Sequence, residues 1–154
     1  NENKDSLNFF SKILKKNISR SFLVNKDFII ENSQKILIIS GGFTELIAPV
    51  VEDFKIKKDQ IYANEFIFNE NGIIKAISKK TLTYKHRTKA HLVKSLNLKG
   101  VTHIIGDGIT DCDVWRKGYA DEFYAFTENI ERAVVVNSSK HIINCLDDYI
   151  KIIS

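Results

Sequence analysis

Two short apolar runs, each stopped abruptly by a glycine-containing loop, constrain this chain more than any other feature of its 154 residues. Lys35-Ile-Leu-Ile-Ile39 runs into Ser40-Gly41-Gly42, and Val101-Thr-His-Ile-Ile105 runs into Gly106-Asp107-Gly108. Continuous apolar runs of this length read as strands buried on both faces, and the glycines read as tight turns out of them. Phe43, Ile47, Val50, Val51 and Phe54 then recur at helical spacing, with Pro49 predicting a kink. Upstream, Asp5 or Ser6 is placed to cap a helix carrying Leu7, Phe10, Ile13 and Leu14, and a second short helix is expected from Asp27 to Ser33. Glu65–Phe68 and Ile73–Ile77 flank Asn69-Glu-Asn-Gly72 as a hairpin. A polar stretch from Ser78 to Arg87 leads to a helix from Thr88 to Leu96, with Thr88 as its cap. Glu122–Phe126 and Val134–Val136 read as further buried elements, and Cys145–Ile153 as a closing helix. Strands alternating with helices predict an α/β fold with a mostly parallel sheet. In such sheets ligands bind beyond the carboxyl ends of the strands, so the two glycine loops are where chemistry is expected.

Composition narrows the class. The chain is 44% hydrophobic and 27% charged, with one Pro and seven Gly, which predicts one soluble globular domain. No run of 18 apolar residues occurs and the first residues lack the apolar core of a secretion signal, so a cytoplasmic protein without a membrane partner is expected. The sequence starts at Asn1 and contains no Met, which predicts a segment upstream of it. The net charge of +4 comes from scattered lysines. The densest basic stretch, with Lys75, Lys79, Lys80, Lys85, Arg87 and Lys89, reads as a solvated face rather than a nucleic-acid surface. Cys112 and Cys145 have no metal-ligand spacing and no disulfide framework around them, which suits a reducing compartment.

Three places carry chemistry. Ser40-Gly41-Gly42 puts a hydroxyl and backbone N–H groups at a strand end just before a helix, a geometry able to hold a phosphate; a plain tight turn is the alternative. Asp107 and Asp111 place two carboxylates around a helix start, where a hard cation such as Mg²⁺ can bind, or where they serve as a turn residue and a helix-start charge. Lys89 sits at a helix start that mildly disfavours a cation, which a phosphate partner explains, although a surface lysine is the simpler account. Asp113 falls on another face of its helix and reads as solvated.

In this order, Ser40-Gly-Gly-Phe43, Lys89 and Gly106-Asp107-Gly-x-x-Asp111 resemble motifs II, III and IV of the haloacid dehalogenase superfamily, with the phosphoserine phosphatase branch the most similar. Lys117-Gly-Tyr-Ala120, Phe123-Tyr-Ala-Phe126 and Glu128-Asn-Ile-Glu-Arg132 also look like the tail of that branch, so the resemblance covers about Lys35 to Ile153. It implies a Rossmann-like three-layer sandwich with a parallel sheet, with residues 34–154 as the core and residues 1–33 as the C-terminal remnant of a helical cap. It further implies a Mg²⁺-dependent phosphomonoester hydrolase working through an aspartyl-phosphate on phosphoserine or a similar small phosphorylated metabolite. Ser40, Gly41 and Gly42 then bind the phosphoryl group, and Lys89 neutralises it and orients the nucleophile. Asp107 and Asp111 serve the metal, Asp111 through its water or by holding Lys89, and Thr110 takes a substrate-facing position often filled by Asn.

The family's first motif, Asp-x-Asp-x-Thr or Val, is not found here; Asp111-Cys112-Asp113 has the spacing but lies inside motif IV. In the family the strand bearing that motif lies between those ending at Ser40 and Asp107, so the core is expected to lack its first strand. The nucleophile is then expected from an upstream segment or a complementing chain. Arg20 matches the substrate-gripping arginine by residue type alone. The competing expectation is a catalytically inactive phosphate-binding regulatory domain. A phosphate-receiver module is disfavoured because Lys89 does not directly follow a strand.

Overall fold

The computed structural model describes residues 2–86 and 88–154; Asn1, and Arg87 of the basic stretch, lie outside them. Its contacts divide the chain into two compact units, Asn1–Lys85 and His86–Ser154.

In the first unit, α1 (Lys4–Lys16) starts after Asn3, whose backbone is extended and whose side-chain oxygen accepts from the Ser6 N–H at 2.9 Å. Asn3, rather than Asp5 or Ser6, is therefore the cap, two or three residues earlier than expected. The helix expected over Asp27–Ser33 is α3 (Lys26–Glu31), which runs into a 3₁₀ turn at Ser33–Lys35, and a further short helix, α2 (Arg20–Val24), precedes it. Asn25 and Asn32 separate them, each bonding back to the carbonyl four residues earlier at 2.8 and 2.9 Å. These side chains compete with helix continuation.

The first strand begins later than its apolar run. β1 (Ile38–Phe43) passes through Ser40-Gly41-Gly42 instead of stopping before it, and its register slips between Ile39 and Phe43. The cause is tertiary. Gln60 donates to the carbonyls of Ser33 and Ile36, both at 2.7 Å, which holds the start of the run in a turn. β1 runs parallel to β2 (Ile61–Asn64), with α4 (Thr44–Val51) as the crossover and Pro49 inside α4. β3 (Phe66–Phe68) and β4 (Ile74–Ile77) form the expected antiparallel hairpin. Gly72 adopts φ +73, and the Asn69 side chain accepts from the Asn71 and Ile73 N–H groups at 3.0 and 2.9 Å. α5 (Leu82–His86) forms within the stretch read as merely polar.

The second unit opens with α6 (Lys89–Leu96), capped as expected by Thr88, which accepts from the His91 N–H at 3.2 Å. A three-stranded parallel sheet follows in the order β5 (His103–Gly106), β6 (Glu122–Phe126), β7 (His141–Ile143). The helices α7 (Ile109–Arg116), α8 (Ala133–Val136) and α9 (Leu146–Ile153) connect and close it. The central strand is the apolar axis: Phe123, Tyr124 and Ala125 are all buried, and Phe123 and Ala125 pack with Cys112 and Val135. His103 and Tyr149, 2.9 Å apart, tie β5 to α9, and burial pushes the Tyr149 hydroxyl pKa upward.

The parallel strands and covering helices form the expected mixed α/β fold. Among the described residues, β1 pairs only with β2 and β5 only with β6, so each keeps one open edge. Phe123→Ala is expected to lower stability by about 3–5 kcal/mol, the range for emptying a buried aromatic site. A urea titration of the full chain measures it.

Candidate phosphate and metal site

The second unit gathers four of the residues singled out by sequence at the carboxyl end of β5. Asp107 follows the strand directly, Gly108 caps α7, and Thr110 and Asp111 lie in its first turn. Asp111 is buried, and both of its oxygens are engaged: Oδ1 accepts from Lys89 Nζ at 2.7 Å, and Oδ2 from the Gly108 N–H at 3.2 Å. The second bond turns the carboxylate back onto the helix cap, where the positive end of α7 favours it. Lys89 comes from the first position of α6, so this single ion pair joins two helix starts. The side chains are 26% and 12% exposed, and the pair is screened far less than a surface pair.

Gly106 makes the arrangement possible. A Cβ there would lie 2.4 Å from the Asp111 carboxyl carbon, closer than any real contact. The glycine is needed for close approach and not for a special backbone angle.

Asp107 and Thr110 face solvent. The Asp107 carboxylate receives the Arg132 guanidinium, which also donates to the Asp107 carbonyl at 3.0 Å. Arg132 had entered only as part of the Glu128–Arg132 resemblance. No local signal ties it to Asp107, 25 residues earlier in the chain. Asp113 pairs loosely with Arg116 at 3.8 Å, consistent with a solvated face. Cys112, between the two acids, is core: burial, before any neighbouring charge, pushes its thiol pKa upward, so it is a poor nucleophile. Among the described residues no three His, Cys, Asp or Glu side chains form a metal cage.

Ser40, Gly41 and Gly42 form their own corner in the first unit. The Ser40 hydroxyl accepts from the Gly42 N–H at 3.0 Å, which leaves its proton available to donate. Gly41 is open, since nothing lies within 4 Å of where its Cβ would be, and its carbonyl accepts from Asn64 at 2.8 Å. The next helix begins with Thr44, whose buried hydroxyl has no hydrogen-bond partner, and Glu45, whose Oε1 accepts from the Phe66 N–H at 3.0 Å. Phe43 stacks on Phe66 at 3.8 Å between ring centroids, fixing the hairpin to this corner. Arg20 is an exposed residue at the start of α2.

Gly106→Ala is expected to push Asp111 off Lys89 and to lower stability by about 1–3 kcal/mol, the usual cost of overpacking. Denaturant titration gives the magnitude, and loss of additivity with Asp111→Asn in a double-mutant cycle locates the clash.

No protein-family model matches the chain. A crystal structure of a phosphoserine phosphohydrolase-like protein from Francisella tularensis is 30% identical, with a TM-score of 0.83 over 99% of this chain and 71% of that one. The chloroplastic phosphoserine phosphatase of Arabidopsis thaliana is 29% identical over 126 residues, which are 75% of this chain and 43% of the relative. Human phosphoserine phosphatase is 28% identical over 113 residues, 71% of this chain and 49% of the relative. The chain thus spans a little under half the length of the curated relatives it matches. Taken with the Ser-Gly-Gly corner and the Gly-Asp-Gly-x-x-Asp strand end, this similarity places the chain in the phosphoserine phosphatase-like branch of the haloacid dehalogenase superfamily.

Proposed function

We propose that this chain supplies the phosphate-holding and metal-holding residues of a phosphomonoester hydrolase acting on phosphoserine or a similar small phosphate ester. The observation that carries the reading is Lys89, whose ammonium is held at the end of β5 by the buried Asp111. A lysine so placed has surrendered its freedom to a fixed position, which suits cancelling charge on a transferring phosphoryl group. Asp111, with both oxygens engaged, is the positioning residue for Lys89. Asp107 is the carboxylate for the metal. The Ser40 hydroxyl and the N–H group of Gly41 are donors for phosphoryl oxygens, the Gly42 N–H being committed to orienting Ser40, and the partnerless hydroxyl of Thr44 adds a polar group at the same corner. Thr110, exposed beside Asp107, is left for the substrate.

Mg²⁺ fits this set. It needs only one or two protein carboxylates besides water and phosphate oxygens. Asp107 is exposed at a strand end and already accepts a cationic group, that of Arg132. When bound, Mg²⁺ would cancel charge on the phosphoryl oxygens. The carboxylate that attacks phosphorus, forming an aspartyl-phosphate, comes in this reading from a segment beyond these residues. Its strand would cover the open edge of β5, where Ile105 remains 36% exposed despite the apolar run around it. Residues 1–33 are then the end of a helical cap. No helix among the described residues is long and apolar enough to cross a membrane.

The full-length protein is expected to release phosphate from O-phosphoserine only with Mg²⁺. Asp107→Ala should abolish release, and Lys89→Ala should lower kcat by about 10²–10³, as for loss of one charge-stabilising donor. Activity that survives Asp107→Ala would refute the metal assignment.

A further inference from the structure

Asp107, the carboxylate assigned to the metal, has a cation on it already. Arg132 caps α8 with an extended backbone, φ −111 and ψ 113, and its carbonyl accepts from the Val135 and Val136 N–H groups at 2.9 and 3.0 Å. Val135 is buried, so the backbone of Arg132 is anchored while its side chain remains 44% exposed. From that anchor one guanidinium nitrogen reaches both the carbonyl and the carboxylate of Asp107. The other acid of the strand end, Asp111, is taken by Lys89, so each of the two carboxylates has its own basic partner.

We propose that Arg132 is the resident counter-ion of Asp107 in the metal-free protein, and that a divalent cation binds by displacing it. The inference rests on Asp107 being the metal carboxylate. A guanidinium has no acceptor and cannot lose its proton, so it can neither join a metal's ligand set nor relieve repulsion by deprotonating. Within a few ångströms of a divalent ion it must leave. A swing of the side chain about its anchored backbone accomplishes this without refolding α8. Metal loading and Arg132 release are then a single exchange, and the exchange lowers apparent metal affinity by the strength of the pair. For a half-exposed pair this is a factor of up to about five.

Binding of Mn²⁺, followed by the loss of its free-ion electron paramagnetic resonance signal, tests the exchange on the full chain without relying on turnover. Arg132→Gln, which keeps length and a donor but removes the charge, is expected to bind Mn²⁺ about three- to fivefold more tightly than the native chain. Arg132→Lys, which keeps the charge, should stay within about twofold of it. Asp107→Asn should weaken binding at least about tenfold, roughly the loss of one charged ligand interaction. Unchanged or weaker Mn²⁺ affinity in Arg132→Gln, with Asp107→Asn impaired, overturns the exchange and leaves the metal reading standing. Tightening in Arg132→Lys as well assigns the effect to shape and also overturns it. Unchanged binding in Asp107→Asn, or no binding by any of the proteins, overturns both.

Discussion

The ion pair between Lys89 and Asp111 organises the carboxyl end of β5. Asp111 reaches it from α7 while bonding back to the Gly108 N–H, and Lys89 reaches it from the first residue of α6. A cation at a helix start works against the helix dipole, and a carboxylate in a first turn works with it. The acid therefore offsets at α6 what the dipole alone disfavours. Because the carboxylate is buried, removing either partner would leave an uncompensated charge, which is costlier than losing an exposed pair. Gly106 belongs to the same device, because any side chain there would occupy the space of the Asp111 carboxylate.

Two acids four residues apart thus have different roles set by their surroundings. Asp111 is buried, hydrogen-bonded through both oxygens and committed to Lys89; Asp107 is exposed and paired with the exposed Arg132. The apolar β6, with Phe123, Tyr124 and Ala125 buried, is the rigid support against which β5 aligns its end. In the first unit the Ser-Gly-Gly corner is braced differently, by the Phe43–Phe66 stack and by Asn64 on the Gly41 carbonyl.

Features legible in the sequence were those decided locally. The hairpin at Asn69–Gly72 needs only one glycine at positive φ and one asparagine side chain, and both lie within the turn. The cap of α6 needs only Thr88. Ile61–Asn64 and His141–Ile143 were not legible as strands, since they have four and three residues and acquire their form from β1 and β6. The start of β1 lies later than its apolar run for a similar reason: Lys35 closes a 3₁₀ turn, and Gln60, far along the chain, takes the carbonyls of Ser33 and Ile36.

By itself the sequence determined the α/β class, the two glycine loops and the order of Ser40, Lys89, Asp107 and Asp111, because apolar runs, caps and turn residues act over a few positions. Only the tertiary structure decided which acid is buried, that Lys89 belongs to Asp111, and that Arg132 sits on Asp107. These are pairings across 22 and 25 residues, and a carboxylate's role depends on the burial and the partners that folding brings to it.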